Sequence, residues 1–530
     1  MGIPSYFSYL IRNHKDVLCN HKKLVTSGIV FSRLYMDCNS ILYDCFRKIP
    51  VSEYSDAKLI EQTALEIEKY ITKISPTQYI YIAFDGVAPM AKMDQQRTRR
   101  YKSWFDSCVL SKIDPATAAT TTITTSMFTP GTHFMDALTI FMRKRFAENK
   151  KVIVATPDEP GEGEHKLFAH LRQVPCQPGE ICAIYGLDAD LLMLSLFHLS
   201  YCPHIYVFRE APQFFPNEEG DEPLFLDMTK FGRSIANEMR CSATDTHRMC
   251  DYMFMCFLLG NDFLPHFPGL NIRTVGIQSL LEAYRLKIGN TQERFLVSRK
   301  MKIQWHEVSV LIKELAAQEH NFILDEYAKR RKWDQTPVAL QKNSTLAEKK
   351  DLFQNTPMLY RREEKTISPN EIGWEARYYK TLFPPDIKIT DVCVNYMEGL
   401  EWVFQYYTTG KVDWLWKYKY QYPPLLKDLA PMIPIKNTTF LPNMTTKPVK
   451  SQTQLAYVLP PVHHHLLNPV LAKKLRTQYK QYYVGCPNED GIPQLKFQWA
   501  FCRYFWESHV QLPEIPLNVL VDIENMPENY

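Results

Sequence analysis

No uninterrupted apolar run in this chain approaches the roughly eighteen residues that a membrane-spanning helix requires. The first residues also lack the charged-then-apolar pattern of a secretory signal. Gly2 invites a myristoylation reading, but position six is Tyr6, not Ser or Thr, and that pattern fails. There is no CxxC pair among the thirteen cysteines, and their irregular spacing argues for reduced thiols rather than a disulfide frame or a zinc site. Excess charge is equally scarce: 62 basic minus 58 acidic side chains leave +4 over 530 residues. Affinity for a polyanion must then come from local clustering and not from the whole surface. No internal repeat is visible. The expectation is a protein neither secreted nor membrane-spanning, placed in the cytoplasm with the nucleus also open. Its length allows two to four domains with sizeable cores.

What the chain does carry is acid at the ends of its apolar segments. Ile181 to Ile184 reads as a buried strand, and Asp188 and Asp190 follow it where an apolar helix, Leu191 to Leu199, begins. In open α/β sheets, ligands bind in the crevice at the carboxyl ends of the strands. Taken alone, Asp188 is also a sound helix N-cap and Asp190 a first-turn partner of the helix dipole. The arrangement recurs, however. Ile29 to Met36 reads as a strand ending in Asp37, and Tyr79 to Phe84 as one ending in Asp85. Lys151 to Ala155 runs into Glu162, Glu164 and His165, and the apolar helix Tyr252 to Leu259 ends in Gly260-Asn261-Asp262. Seven acids at element ends point to a metal-binding cluster. Hard oxygen ligands of this kind suit Mg²⁺ or Mn²⁺, and strands alternating with helices imply a parallel sheet that would converge them.

Immediately after Asp85 lies a basic stretch, with five basic residues and one acid between Lys92 and Lys102. On a helix, Lys92, Gln96, Arg99 and Arg100 fall within about 80° of one another. Such a face offers an ammonium, an amide and two guanidiniums to a terminal phosphate. A solvated basic face is the plainer reading of the run by itself.

These segments together resemble the XRN family of 5′→3′ exoribonucleases. The resemblance is carried by Met1-Gly2-Ile3-Pro4, by Tyr35 to Ile41, by Asp85 to Pro89 running on to Lys92 through Arg100, by Thr129-Pro130-Gly131-Thr132 with Phe134-Met135, by Pro160 to His165, by Tyr185 to Leu191 and by Gly260 to His266, in the family's order. It is dense over about residues 1–290, thinner at 371–425 and only suggestive beyond. It implies an α/β fold, with a mostly parallel sheet flanked by helices in a PIN or flap-nuclease-like catalytic core. A second conserved region would wrap on that core. It also implies processive hydrolysis of single-stranded RNA bearing a 5′-monophosphate, with Asp37, Asp85, Glu162, Glu164, Asp188, Asp190 and Asp262 as metal ligands. Lys92, Gln96, Arg99 and Arg100 would form the phosphate pocket. Two positions depart from the family. Met90 stands where a basic residue is usual, and Tyr43 where a histidine stacks on the terminal base. A tyrosine ring can still stack. Within Tyr396 to Tyr418, Trp402 reads as packing and Trp414 as the better stacking candidate for the opposite side. A 5′ flap endonuclease or 5′→3′ DNA exonuclease shares the acidic cluster, and a catalytically silent RNA-binding scaffold is a third reading. Cleavage of DNA as well as RNA also stays open.

The organisation expected is a catalytic domain at 1–290, a linker or insertion at 291–370, and the second conserved region at 371–530. Ile113 to Ser126 reads as a loop and 210–223 as an exposed excursion. The basic quartet Lys329 to Lys332 is at best a weak nuclear signal, and His463 to His465 read as a loop and not a metal site. From 420 onward, Pro-rich extended segments are expected to wrap the catalytic domain. The chain reads as a compact family member without the extra carboxy-terminal modules of longer cytoplasmic ones.

Overall fold

The computed structural model describes residues 5–115, 124–186, 188–210, 222–239, 247–291, 293–332, 344–441 and 446–527. Most of the loop expected at Ile113 to Ser126 and of the excursion at 210–223 lies outside them, as do the first four residues and Leu187. Seven strands form the central sheet: β1 (Leu18–Asn20), β2 (Arg33–Asp37), β3 (Tyr79–Ala83), β4 (Val152–Ala155), β5 (Cys182–Tyr185), β6 (Ile205–Arg209) and β7 (Leu224–Asp227). Their order is β1-β7-β6-β5-β2-β3-β4. The five strands from β6 to β4 are parallel, while β7 pairs antiparallel with β6 and β1 pairs antiparallel with β7 at the edge. The central strands read as apolar runs because helices cover both faces and bury both sets of side chains. On one face pack the helices Asn39–Lys48, Asp56–Ile74 and His133–Phe146, through Ile41, Leu59 and Leu138. On the other pack Gly163–Gln173, Ala189–Phe197 and Arg248–Cys256, through Phe168, Leu191 and Met253.

The chain order matters for the site. β2, β3 and β4 step outward to one edge, and the chain then returns to lay β5 on the other side of β2. The switch point is therefore between β2 and β5. A crevice opens at the carboxyl ends of strands where a parallel sheet reverses direction, because the flanking helices diverge there. Asp37 closes β2, and Asp188 and Asp190 follow β5.

Residues 291–370 are more than a tether. The 27-residue helix Trp305–Arg331 buries Trp305, Leu311 and Leu315 in the same apolar cluster as the sheet. The helix Ile389–Thr408 joins that cluster through Tyr396, Leu400 and Trp402. The final segments combine extended chain with the short helices Ser451–Val458, Pro469–Thr477 and Leu517–Glu524. They fold against the long helix Met90–Ile113. Arg97, on the face of that helix turned from the acids, donates to the carbonyls of Pro513 (2.9 Å) and Tyr482 (2.8 Å). Gly131 approaches the same segments so closely, at φ +89°, that a Cβ would lie 2.7 Å from Ser451 Cβ. The Thr-Pro-Gly-Thr string thus needs its glycine for both backbone and space.

Arg330, inside the basic quartet, is no surface signal. Its guanidinium is 4% exposed and pairs with Glu364 (2.6 Å), while Arg361 holds the other Glu364 oxygen (2.7 Å). Arg330 also donates to the carbonyls of Phe501 and Cys502. Removing the acid from a buried pair strands its cations, which typically costs about 3–5 kcal/mol. Glu364→Ala is accordingly expected to lower denaturant stability by that amount. A loss below about 1 kcal/mol would show the triad to be dispensable.

Candidate active site

Each acid reaches the site from a different element. Asp85, just past β3, accepts hydrogen bonds from the Gly163 N–H (2.6 Å) and from the Asn39 amide, while the Asn39 side-chain oxygen accepts from the Asp85 N–H (3.2 Å). The positive end of the helix Gly163–Gln173 therefore sits against a carboxylate. Gly163 permits the approach: a Cβ there would lie 2.7 Å from Asp37 Oδ1 and 3.4 Å from Asp85 Oδ1. Lys166, from the next turn, donates to the carbonyls of Phe84 (2.8 Å) and Thr156 (2.9 Å) and ties together the ends of β3 and β4. Burial lowers its pKa to about 8.

Glu162 and Asp262 meet across one ammonium. Lys92 Nζ lies 2.5 Å from Glu162 Oε2 and 2.9 Å from Asp262 Oδ2. Two phenols from the helix Ile389–Thr408 complete the donors: Tyr406 donates to Glu162 (2.6 Å) and Tyr407 to Asp190. The Tyr406 ring stacks on His165, with centroids 3.6 Å apart. Ligand atoms of Glu162, Glu164 and His165 lie within 4.8 Å of one another.

The electrostatics are those of crowded acids. Burial, then the charges of Asp85 and Asp188, raise Asp37 well above the usual carboxylate range. Burial, then Asp190 and Glu162, do the same to Glu164, and burial takes Asp190 up to about 6. Asp262 goes the other way: burial would raise it, but Lys92 holds it at about 2. Burial would lower Lys92 in turn, yet Asp262, Glu162, Glu164 and Asp190 together raise it well above its ordinary value. These mutual effects connect all seven expected acids in one cluster. Asp188 is its exposed member. Asp37 Oδ1 is buried with no hydrogen-bond partner among the described residues. Orphaned oxygens and repelling carboxylates are what a hard divalent cation would relieve, so the residues present fit one.

The basic stretch is helical, within Met90–Ile113. Lys92 is turned into the acids. Arg100 donates to Thr129 Oγ1 (2.6 Å), and burial takes its pKa down to about 10. Gln96 Oε1 and Arg100 Nη1 are buried without partners among the described residues. Arg99 is exposed and lines a cleft of about 470 Å³ beside Asp262, shared with Gln95, Lys102, Lys417 and His509. Met90 is buried, and its N–H donates to the Trp414 carbonyl (2.8 Å). Tyr43 is half-buried and edge-on to Phe128, with centroids 5.1 Å apart. Trp414 is half-buried, whereas Trp402 is fully buried and its indole N–H donates to the Asp413 carbonyl (2.8 Å).

Three contributors escape sequence reasoning. Tyr406 and Tyr407 sit in an aromatic string that reads as packing, and nothing local marks their hydroxyls as partners of acids over 200 positions away. His463 lies in a 3₁₀ turn, Pro461–Leu466, and its Nδ1 is 2.9 Å from Ser126 Oγ. Burial, then His465 and Arg100, lower its pKa to about 4.

A pH dependence follows. A carboxyl raised from 3.8 to about 6 binds its proton more tightly in the folded state. Its contribution to stability is therefore greatest at low pH and is lost as pH rises through about 6, a deficit of about 3 kcal/mol by neutrality. Asp190→Asn keeps an oxygen for Tyr407 and removes the deficit. In chelator, the variant should be more stable than the parent near pH 7 and nearly equal to it near pH 4. Denaturation curves at the two pH values check this, and a variant less stable at neutrality would refute it.

A profile described as the XRN 5′-3′ exonuclease N-terminus matches residues 1–211, and one described as the Xrn1 helical domain matches 243–371 and 361–515. The chain is 25% identical to 5′-3′ exoribonuclease 2 of Arabidopsis thaliana, over 97% of this chain and 66% of that protein. It is 27% identical to 5′-3′ exoribonuclease 1 of Homo sapiens, over 97% of this chain and 33% of that one. The chain thus spans two thirds or less of the length of these two relatives. A solved structure of the catalytic core of Rad2 in complex with DNA substrate overlaps loosely, at 13% identity and a TM-score of 0.35, over 81% of this chain and 92% of that one. With profile matches running through both halves of the chain, the protein belongs to the XRN 5′-3′ exonuclease family.

Proposed function

We propose that the chain is a 5′→3′ exoribonuclease that degrades single-stranded RNA carrying a 5′-monophosphate. The observation that carries the reading is the adjacency of two unlike sites on one helix. At Lys92 the helix Met90–Ile113 enters the acidic cluster, and two turns later Arg100 Nη1, a donor, is buried without a partner among the described residues. A terminal phosphate seated at the second site would present its own phosphodiester to the first. Asp37, Asp85, Glu162, Glu164, Asp188, Asp190 and Asp262 would hold two Mg²⁺ or Mn²⁺ ions, whose chemistry when bound is to acidify a water and stabilise the leaving oxygen.

The chain's own groups do the rest. Lys92 keeps an ammonium at the seam between acids and phosphate, where an entering phosphodiester gives it a further anionic partner. Tyr406 and Tyr407 fix the rotamers of Glu162 and Asp190 by donating to one oxygen of each, while the other Glu162 oxygen faces Lys92 Nζ (2.5 Å). Arg100 and Gln96 bind the terminal phosphate. Arg99 meets the strand from the exposed side, and Tyr43 and Trp414 offer faces to bases. Repeated seating of each new 5′-phosphate makes digestion processive.

One RNA oligomer prepared with a 5′-monophosphate, triphosphate or hydroxyl, digested with Mg²⁺ or with EDTA, tests the reading. The monophosphate should be degraded far faster than the other two, and EDTA should stop all three. Arg100→Ala should slow the monophosphate reaction about 10–100-fold, the worth of a charge-assisted hydrogen bond, and change the hydroxyl reaction little. Indifference to the 5′ group, or comparable cutting of circular RNA, would favour an endonuclease.

Tyr43 has its own test. Stacking uses the ring, so Tyr43→Phe should be near neutral while Tyr43→Ala loses about 1–3 kcal/mol of end binding. Equal losses would assign the effect to the hydroxyl, and no loss in either would return Tyr43 to packing against Phe128.

A further inference from the structure

Away from the acids, at the amino-terminal ends of β5 and β6, the fold brings three cysteines together. Cys182 opens β5, Cys202 lies three residues before β6, and Cys176 sits in the turn between the helix Gly163–Gln173 and β5. Their sulfur atoms all lie within 4.8 Å of one another, and Cys176 and Cys182 are 3.3 Å apart. Spacings of six and twenty residues hide this group in the sequence, where the absence of a CxxC pair argues against a zinc site. Main-chain pairing creates it. The Cys182 N–H donates to the His204 carbonyl (2.9 Å) and the Cys176 N–H to the Tyr201 carbonyl (2.8 Å).

We propose that Cys176, Cys182 and Cys202 form a three-thiolate site for a zinc ion. Thiolates bound at about 2.3 Å around one tetrahedral zinc stand about 3.8 Å apart, so the observed group closes on an ion with shifts of well under 1 Å per sulfur. A disulfide would instead require two sulfurs at about 2.05 Å. Cys182 and Cys202 are fully buried, while Cys176 is half-exposed. The ion therefore has an entry path and an open fourth position on the Cys176 side. Binding replaces three thiol protons with one dication, so the occupied site carries one net negative charge. The guanidinium beside the turn, Arg33, is itself paired with the Glu180 carboxylate (2.5 Å). Arg33, 3% exposed, donates to the carbonyls of Val174 (2.6 Å) and Pro175 (3.1 Å), the two residues before Cys176. That anchoring also holds the turn in the conformation that presents Cys176.

The role is a staple. β5 starts at this site and ends just before Asp188 and Asp190, so fastening its first residue to the segments before and beyond it fixes the strand that delivers two acids. The site supplies soft sulfur ligands, whereas the catalytic cluster supplies hard oxygen ones, and the two select different ions.

The test uses the full chain, stripped of metal and kept in excess Mg²⁺ so that the carboxylates are occupied. It is then titrated with Zn²⁺ and, separately, with Co²⁺. The expected result is about one equivalent of tightly held zinc per chain and, with cobalt, the intense near-ultraviolet band of thiolate-to-metal charge transfer, which carboxylates cannot give. Cys176→Ser and Cys202→Ser should each abolish the tight equivalent and the band. Cys176 is half-exposed, so its serine variant decides the matter if the buried one fails to fold. Absence of the band in the parent, or its survival in Cys176→Ser, would overturn the proposal. So would an isolated chain lighter by two hydrogens with Cys176 linked to Cys182, which would make the pair a disulfide instead.

Discussion

The like charge gathered at one end of the sheet is the constraint to which the rest of the structure answers. Seven carboxylates meet where β2 and β5 part, and burial together with their mutual repulsion raises Asp37, Glu164 and Asp190 above the usual carboxylate range. The Lys92 ammonium between Glu162 and Asp262 is the counterweight, and its depth in the cluster, 12% exposed, explains why the helix carrying it must begin directly after β3. A shorter connection could not bring the basic face to the acids. A longer one would give the chain freedom that the pairing would have to remove.

The second half of the chain contributes to the same balance. Tyr406 and Tyr407 reach Glu162 and Asp190 from a helix that begins more than 200 residues after β5. Their neighbours Trp402 and Phe263 pack around Tyr406 at 4.8 and 5.5 Å, so the phenols are held by an aromatic wall rather than by a loop. The acidic cluster and the helical half are therefore one construction. Neither arranges its polar groups without the other.

How far this is legible in the sequence depends on the range of the interaction. The strands and the acids at their ends could be read because each is a local pattern: an apolar run, then a carboxylate, then a helix start. The parallel order follows from alternation with helices. The phenols could not be read, since a tyrosine bound to a carboxylate and one packed in a core have the same local signature. The stretch 291–370 reads as a linker because its charges are frequent, yet several of those charges, Arg330 and Glu364 among them, satisfy one another in the interior. The three cysteines are likewise invisible until β5 and β6 are paired.

Arg97 sits in the middle of the basic stretch but faces away from its neighbours, and binds the carbonyls of Tyr482 and Pro513. A helix whose front meets the acids thus has its back fastened to residues 385 and 416 positions further along the chain. During synthesis the front face is not fixed until those residues have emerged. A chain interrupted before residue 513 would have all seven acids but a loosely held helix in front of them. The fold thereby defers completion of the surface beside the acids until residue 513 has been made.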